Sequence, residues 1–130
     1  MNNQNTFPKL LLKQYEKWPE NVAMRKKDFG IWKEYTWRDS YENVKYLCLC
    51  LMHLGLKRGE KVSIIGENEP QWFWGEFAVQ AAGGISVGIY TDMVPAQVQF
   101  MVSHSESSYA IAMIRNRLIS SWKSKTRCLV

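Results

Sequence analysis

Residues 55–92 read GLKRGEKVSIIGENEPQWFWGEFAVQAAGGISVGIYTD, and the order of elements in this stretch decides the fold. Two short, β-branched apolar runs, Val62–Ile65 and Ile85–Tyr90, are each bounded by glycine or charge, which is the signature of buried strands. Between them Pro70 suits a first helical turn, Asn68 or Glu69 is placed to cap it, and Gly83-Gly84 marks its end. Trp72, Phe73, Trp74, Phe77, Ala78, Val79, Ala81 and Ala82 leave that helix little polar surface, so it is expected to be buried. A strand, a crossover helix and a strand at this spacing pair in parallel with a right-handed crossover.

Outward from this unit the pattern continues on both sides. Thr6–Trp18 has an amphipathic helical spacing through Leu10, Leu11, Tyr15 and Trp18, and Pro19 ends it. Val22–Arg25 and Trp32–Thr36 flank the turn Lys27-Asp28-Phe29-Gly30 as an edge hairpin. Thr36 and Asp39 form a capping-box pattern for a long helix through Tyr41, Val44, Leu47, Cys48, Leu51 and Leu54, closed by Gly55. Downstream, Pro95 opens a helix carrying Val98, Met101 and Val102, and Tyr109–Ile114 is a third strand. The chain is therefore expected to be α/β, with a parallel β-α-β-α-β unit preceded by an amphipathic helix and a β-hairpin.

At 130 residues and 46% hydrophobic, the chain supports one domain with a core. The formal charge of +5 is unevenly placed. Met1–Ala112 holds 12 basic and 12 acidic residues, whereas Met113–Val130 holds Arg115, Arg117, Lys123, Lys125 and Arg127 and no acid. Three readings of this tail stay open: a segment not native to the fold, a solvated terminus, or a basic arm for RNA or anionic lipid. Its lone aromatic, Trp122, offers little for base stacking, which speaks against nucleic acid. No apolar run is long enough to span a bilayer and the N-terminus lacks a signal-peptide pattern, so a cytoplasmic location is expected. Cys48, Cys50 and Cys128 make neither a disulfide framework nor a metal set.

The candidate sites are few. Gly66 lies between strand and helix, where phosphate loops sit, but Glu67 and Glu69 oppose anion binding at that helix end. Gly55 and Gly59 bracket Leu-Lys-Arg without a following Gly-Lys-Ser/Thr, which favours a helix end and turn; Gly83, Gly84 and Gly88 are read as close-packing positions. His53 sits at a helix C-terminus. His104, with Ser103, Ser105, Glu106 and Ser108, imitates a Ser-His-acid set only in sequence. Trp72 and Trp74 suit either core packing or a ligand tunnel.

The segments TFPKLLLKQYEKWPENVAMRKKDFGIWKEYTW, HLGLKRGEKVSIIGENEPQW and AVQAAGGISVGIYTDMVPAQVQFMVSHSES, taken in order, resemble the N-terminal portion of an adenylate-forming acyl-CoA synthetase. Within that superfamily the bacterial long-chain fatty-acid CoA ligases are most similar. The resemblance covers Thr6–Ala112 and breaks at Met113, setting a boundary between residues 1–112 and the basic tail 113–130. It implies a parent enzyme that uses ATP and magnesium to make an acyl-adenylate from a fatty acid and then passes the acyl group to coenzyme A, with a peripheral membrane association possible for the parent. The family's triphosphate loop, magnesium acid and C-terminal lysine have no counterpart here. No catalytic, cofactor-binding or metal residue is therefore assigned, no cofactor is expected for the chain alone, and a catalytically silent, interrupted fragment is expected. An alternative role is an interaction or oligomerisation module using an unpaired sheet edge near Tyr109–Ile114.

Overall fold

The computed structural model describes residues 6–113 and 127–129. Helix α1 (Phe7–Lys17) is followed by the antiparallel hairpin β1 (Val22–Asp28) and β2 (Ile31–Thr36), then helix α2 (Trp37–His53). Strands β3 (Lys61–Gly66), β4 (Ile85–Ile89) and β5 (Tyr109–Met113) alternate with helices α3 (Pro70–Ala81) and α4 (Pro95–His104), and β6 (Arg127–Leu129) ends the described chain. The four-stranded sheet is parallel throughout, in the order β4-β3-β5-β6. The first strand of this sheet to be made, β3, is thus an inner one, with later strands added on either side.

Alternation along β3 divides the core in two. Val62 and Ile64 face one side with Tyr109 and Ile111, under α1, α2 and α3. Ile65 faces the other side with Ile89 and Val102, where α4 packs. The two crossover helices consequently lie on opposite faces of the sheet. Helix α3 buries Trp74, Gly75, Ala78 and Val79, as its apolar composition requires. Ring stacks of Phe7 on Phe77 and Tyr15 on Tyr41 dock α1 across α3 and α2. The Tyr109 hydroxyl donates to the Leu54 carbonyl at 2.9 Å and ties β5 to the end of α2.

Local chemistry sets the helix ends. Thr36 and Asp39 form the full capping box at α2, with the Asp39 N–H donating to Thr36 Oγ1 and the Thr36 N–H donating to the Asp39 carboxylate. At the far ends three helices share one geometry. Gly55, Gly83 and Glu106 take left-handed φ values of 92°, 83° and 56°, and the next residue's N–H reaches back to Leu51, Val79 and Val102 respectively. Glycine fits that conformation without cost, whereas Glu106 is strained in it.

Two expectations need correction. Glu69 is the N-cap of α3 by position, but neither it nor Asn68 caps through its side chain; the Glu69 carboxylate instead meets Lys26 Nζ at 2.7 Å. The β5 edge is not open either, because β6 pairs with it from Tyr109 to Ile111. Among the described residues the edges of this sheet without a partner are the outer sides of β4 and β6. The charge break at Met113 runs into residues 114–126, outside the described ones.

Candidate functional site

In an open parallel sheet, ligands bind outside the carboxyl ends of the strands where successive crossovers leave to opposite faces. In the order β4-β3-β5-β6 that place lies between the ends of β3 and β5, because the chain leaves β3 towards β4 at one edge and leaves β5 towards β6 at the other. It is made of Gly66, Glu67, Asn68 and Glu69 on the β3 side and of Met113, the partner of Gly66, at the end of β5, beyond which the chain lies outside the described residues. Gly66 and Glu69, considered in the sequence, both lie on the β3 side of this place.

The mouth is filled by protein. A Cβ at Gly66 would lie 3.2 Å from Met113 Cβ and 3.3 Å from Trp72 Cδ1, and a Cβ at Gly88 would lie 3.2 Å from the far end of the same indole. Trp72 therefore covers the carboxyl ends of β3 and β4, while Met113 at the end of β5 closes the other side of Gly66. The Glu69 N–H is already bound to the Glu67 carbonyl at 2.7 Å, removing one of the amides a phosphate would need. The electrostatic reason expected from the sequence holds only in part. Lys26, whose side chain is only 16% exposed, balances Glu69, and Glu67 is the other acid of the turn. Packing, more than charge, closes this turn to a triphosphate, and the residues present do not fit ATP.

The histidines and serines separate in space according to packing rather than catalysis. His53 is exposed in the last turn of α2, where a cation suits the helix dipole. His104 stacks on Phe100 at 5.3 Å. The serines bond to one another: Ser63 Oγ donates to Ser107 Oγ at 2.7 Å, and Ser105 Oγ donates to the Val102 carbonyl at 3.0 Å. Ser105 and Ser107 lie 2.7 Å apart, and because each hydroxyl has one proton, Ser107 must be the donor between them. This one-way chain joins the centre of β3 to the end of α4. Glu106 points elsewhere, 3.5 Å from Lys61, and no Ser-His-acid relay forms.

Trp74 lies in the core, edge-on to Tyr35 at 5.4 Å, so the core reading of this residue is correct. Burial pushes the Cys48 thiol above its ordinary range, while Cys50 on the neighbouring face is exposed. The Arg38 guanidinium is held further up by its hydrogen bond and charge contact with Glu20, an exposed pairing with little leverage on stability. Among the described residues no three His, Cys, Asp or Glu side chains are placed to hold a metal, and no helix is long and apolar enough to cross a membrane.

What sequence reasoning missed were the partners from distant parts of the chain. Lys26 of the hairpin and Met113 of β5 meet the Gly66 turn, and neither lies in a motif. The Ser63 to Ser107 link was hidden because its members are 44 residues apart.

A parallel β-α-β-α-β sheet with an N-terminal helix and a hairpin is the fold of a class: the N-terminal subdomain of adenylate-forming enzymes. The subdomain of that kind from Klebsiella oxytoca NpsA, solved with anthranilyl-AMSN, superposes with a TM-score of 0.78 at 18% identity, covering 98% of this chain and 31% of that one. The fatty acid AMP ligase of Legionella pneumophila superposes at a TM-score of 0.75 and 15% identity over 82% of this chain and 19% of its own. At the sequence level, the AMP-binding enzyme family matches residues 11–129, and the chain belongs to that family. It is 26% identical over 113 residues to the long-chain-fatty-acid–CoA ligase ACSBG2 of Xenopus laevis, covering 87% of this chain and 15% of that protein. Against 4-hydroxybutyrate–CoA ligase 2 of Metallosphaera sedula it is 32% identical over 77 residues, 59% of this chain and 14% of that protein. The chain thus spans about one-seventh of the length of the relatives it matches.

Proposed function

We propose that this chain is the N-terminal scaffold of a long-chain fatty-acid CoA ligase and is catalytically silent alone. The observation that carries the reading is the pairing of a family match over residues 11–129 with a first turn plugged by Trp72 and Met113. ATP, magnesium, fatty acid and coenzyme A belong in this reading to the parent enzyme, where activation of a carboxylate by adenylation precedes thioester formation. The contribution of these residues is structural: they build one sheet with two covered faces. A fatty acyl substrate, rather than the shorter acid in the name of the Metallosphaera sedula relative, is favoured because the ACSBG-type ligases align over more of this chain. A cytoplasmic parent fits the same reading.

The test is direct. Purified chain is incubated with ATP, magnesium, coenzyme A and radiolabelled palmitate, and both pyrophosphate release and acyl-CoA are followed. No turnover above a protein-free control is expected; ATP-dependent palmitoyl-CoA formation overturns the proposal. The boundary at Ala112 is part of the same reading, with the basic segment supplying only the β6 cover of β5. Brief trypsin treatment is expected to cut at Arg115 or Arg117 before any basic residue of 6–112, and early cleavage inside that core refutes the boundary.

A further inference from the structure

We propose that the turn of the β1–β2 hairpin is a docking element for an anionic phospholipid surface. This interaction is independent of the ligase reading and uses the hairpin's turn rather than the residues of the β3–β5 mouth. Asp28 pairs with Ile31 across the turn, and Phe29 and Gly30 between them have φ values of 48° and 83°. Such a two-residue turn favours Asn-Gly, because both central residues take positive φ. A bulky aromatic at the first position is strained, and nothing inside the protein compensates: Phe29 is 94% exposed. The two residues after Gly30 are also apolar and open, Ile31 at 69% and Trp32 at 60%. Three large apolar side chains thus occupy four consecutive positions at the convex end of a two-stranded ribbon.

The charges around them are basic. The two strands hold Arg25, Lys26, Lys27 and Lys33 against Asp28 and Glu34. Arg25 is paired with Glu34, Lys26 with Glu69 and Lys33 with Asp28, leaving Lys27 with no ion pair among the described residues. Its ammonium lies 5.8 Å from the Trp32 ring centroid, directly across the ladder. An indole beside a lysine suits the headgroup level of a bilayer, where the ring sits at the apolar boundary and the cation meets phosphate.

Size and shape separate a membrane from a protein partner. A stable protein interface engages some 20–30 residues a side, and three side chains on a projecting tip fall far short of that. Interfacial insertion needs only a few aromatic or aliphatic anchors with basic neighbours. The base of the hairpin is meanwhile held by Met24 and Tyr35 in the core and by the Lys26–Glu69 pair, so the tip is presented on a fixed stem.

The test measures co-sedimentation of the full 130-residue chain with phosphatidylcholine vesicles, with and without 30% phosphatidylglycerol. Binding is expected only with the anionic lipid, weakening as salt rises. Phe29→Asn removes the aromatic yet suits the left-handed turn, so its melting midpoint is expected at or above wild type while its partition coefficient falls about tenfold or more. Trp32→Phe is expected to abolish most of the fluorescence quenching by brominated lipid. No binding by the wild type, or unchanged binding by Phe29→Asn, overturns the proposal. So does loss of binding on reversing the charges of Arg115, Arg117, Lys123 and Lys125 while Phe29→Asn binds normally, which assigns the lipid to the basic tail. Concentration-dependent dimers that Phe29→Asn dissolves and vesicles fail to compete assign the tip to a protein partner and refute it equally.

Discussion

Replacing Gly84 with alanine is the sharpest probe of how β4 is seated, and Gly75→Ala is its matched control. A Cβ at Gly84 would meet Val79 Cγ1 at 3.0 Å, the Glu60 carbonyl oxygen at 3.1 Å and Leu56 Cδ2 at 3.2 Å. None of these can retreat freely. Glu60 O accepts the Ile85 N–H at 2.8 Å, the Gly84 N–H itself is fixed to Val79 O at 2.9 Å, and Val79 is fully buried. Overpacking of this kind costs about 1–3 kcal/mol, offset by roughly 0.4–1 kcal/mol from the stiffer unfolded chain, leaving a net loss near 1–2 kcal/mol. At Gly75 the new Cβ meets only the mobile tip of Met113 at 3.0 Å, with Ile111 and Ile64 at 3.9 Å. There the helix propensity of alanine, worth about 1 kcal/mol over glycine, decides the sign, and α3 gains stability. Urea unfolding followed by circular dichroism separates the two: with a slope of about 1–3 kcal/mol per molar, the midpoints should differ by roughly 1 M at an unchanged slope. If Gly84→Ala melts with the wild type, or Gly75→Ala loses as much as Gly84→Ala, the close approach of α3 and β4 described above is wrong.

Other perturbations follow from the same geometry. Glu106→Gly relieves the left-handed residue after α4 and sacrifices only an exposed 3.5 Å contact with Lys61, so it is expected to stabilise by about 0.5–1 kcal/mol in the same urea assay. Thr36→Ala removes the capping box and is expected to cost about 1 kcal/mol, with fraying visible by amide exchange in the first turn of α2. Ser40 is fully buried with its hydroxyl unpartnered, and Ser40→Ala is expected to be neutral or to stabilise by up to about 1 kcal/mol. For Cys48, whose thiol burial pushes up, iodoacetamide labelling mapped by mass spectrometry should lag behind Cys50 and require higher pH. The stability sign agrees: below the ordinary thiol range both states are protonated, and above it the unfolded chain ionises first, so Cys48 lowers stability as pH rises.

Most of the elements could be read from local chemistry because each is bounded by a residue with a single use. Pro70 and Pro95 start helices, Gly55 and Gly83 end them, and Thr36-Asp39 closes a capping box. The order of strands was not legible. A right-handed crossover can place β5 beside β3 or outside β4 with the same hydrophobic pattern, and only packing selects the arrangement in which Tyr109 reaches Leu54. The pairing of β5 with β6 escaped notice because Arg127–Leu129 is short and carries no alternation. At the candidate site the position of Gly66 was legible and the reason for its closure was not. Lys26 and Met113 arrive there from strands separated from it by about forty residues, a distance over which sequence periodicity has nothing to say.

The inner place of β3 has a consequence for how the chain is born. Because it is synthesised before both neighbours, its two edges are open until β4 and then β5 leave the ribosome. The face under α1, α2 and α3 has all its helices by the time β4 is made, whereas the face under α4 does not. Adding residues 67–113 takes roughly 2–10 s at about 5–20 residues per second. For that interval one side of the nascent sheet is oily and exposed, a window for chaperone capture that ends when Val102 of α4 packs on Ile65 and Ile89.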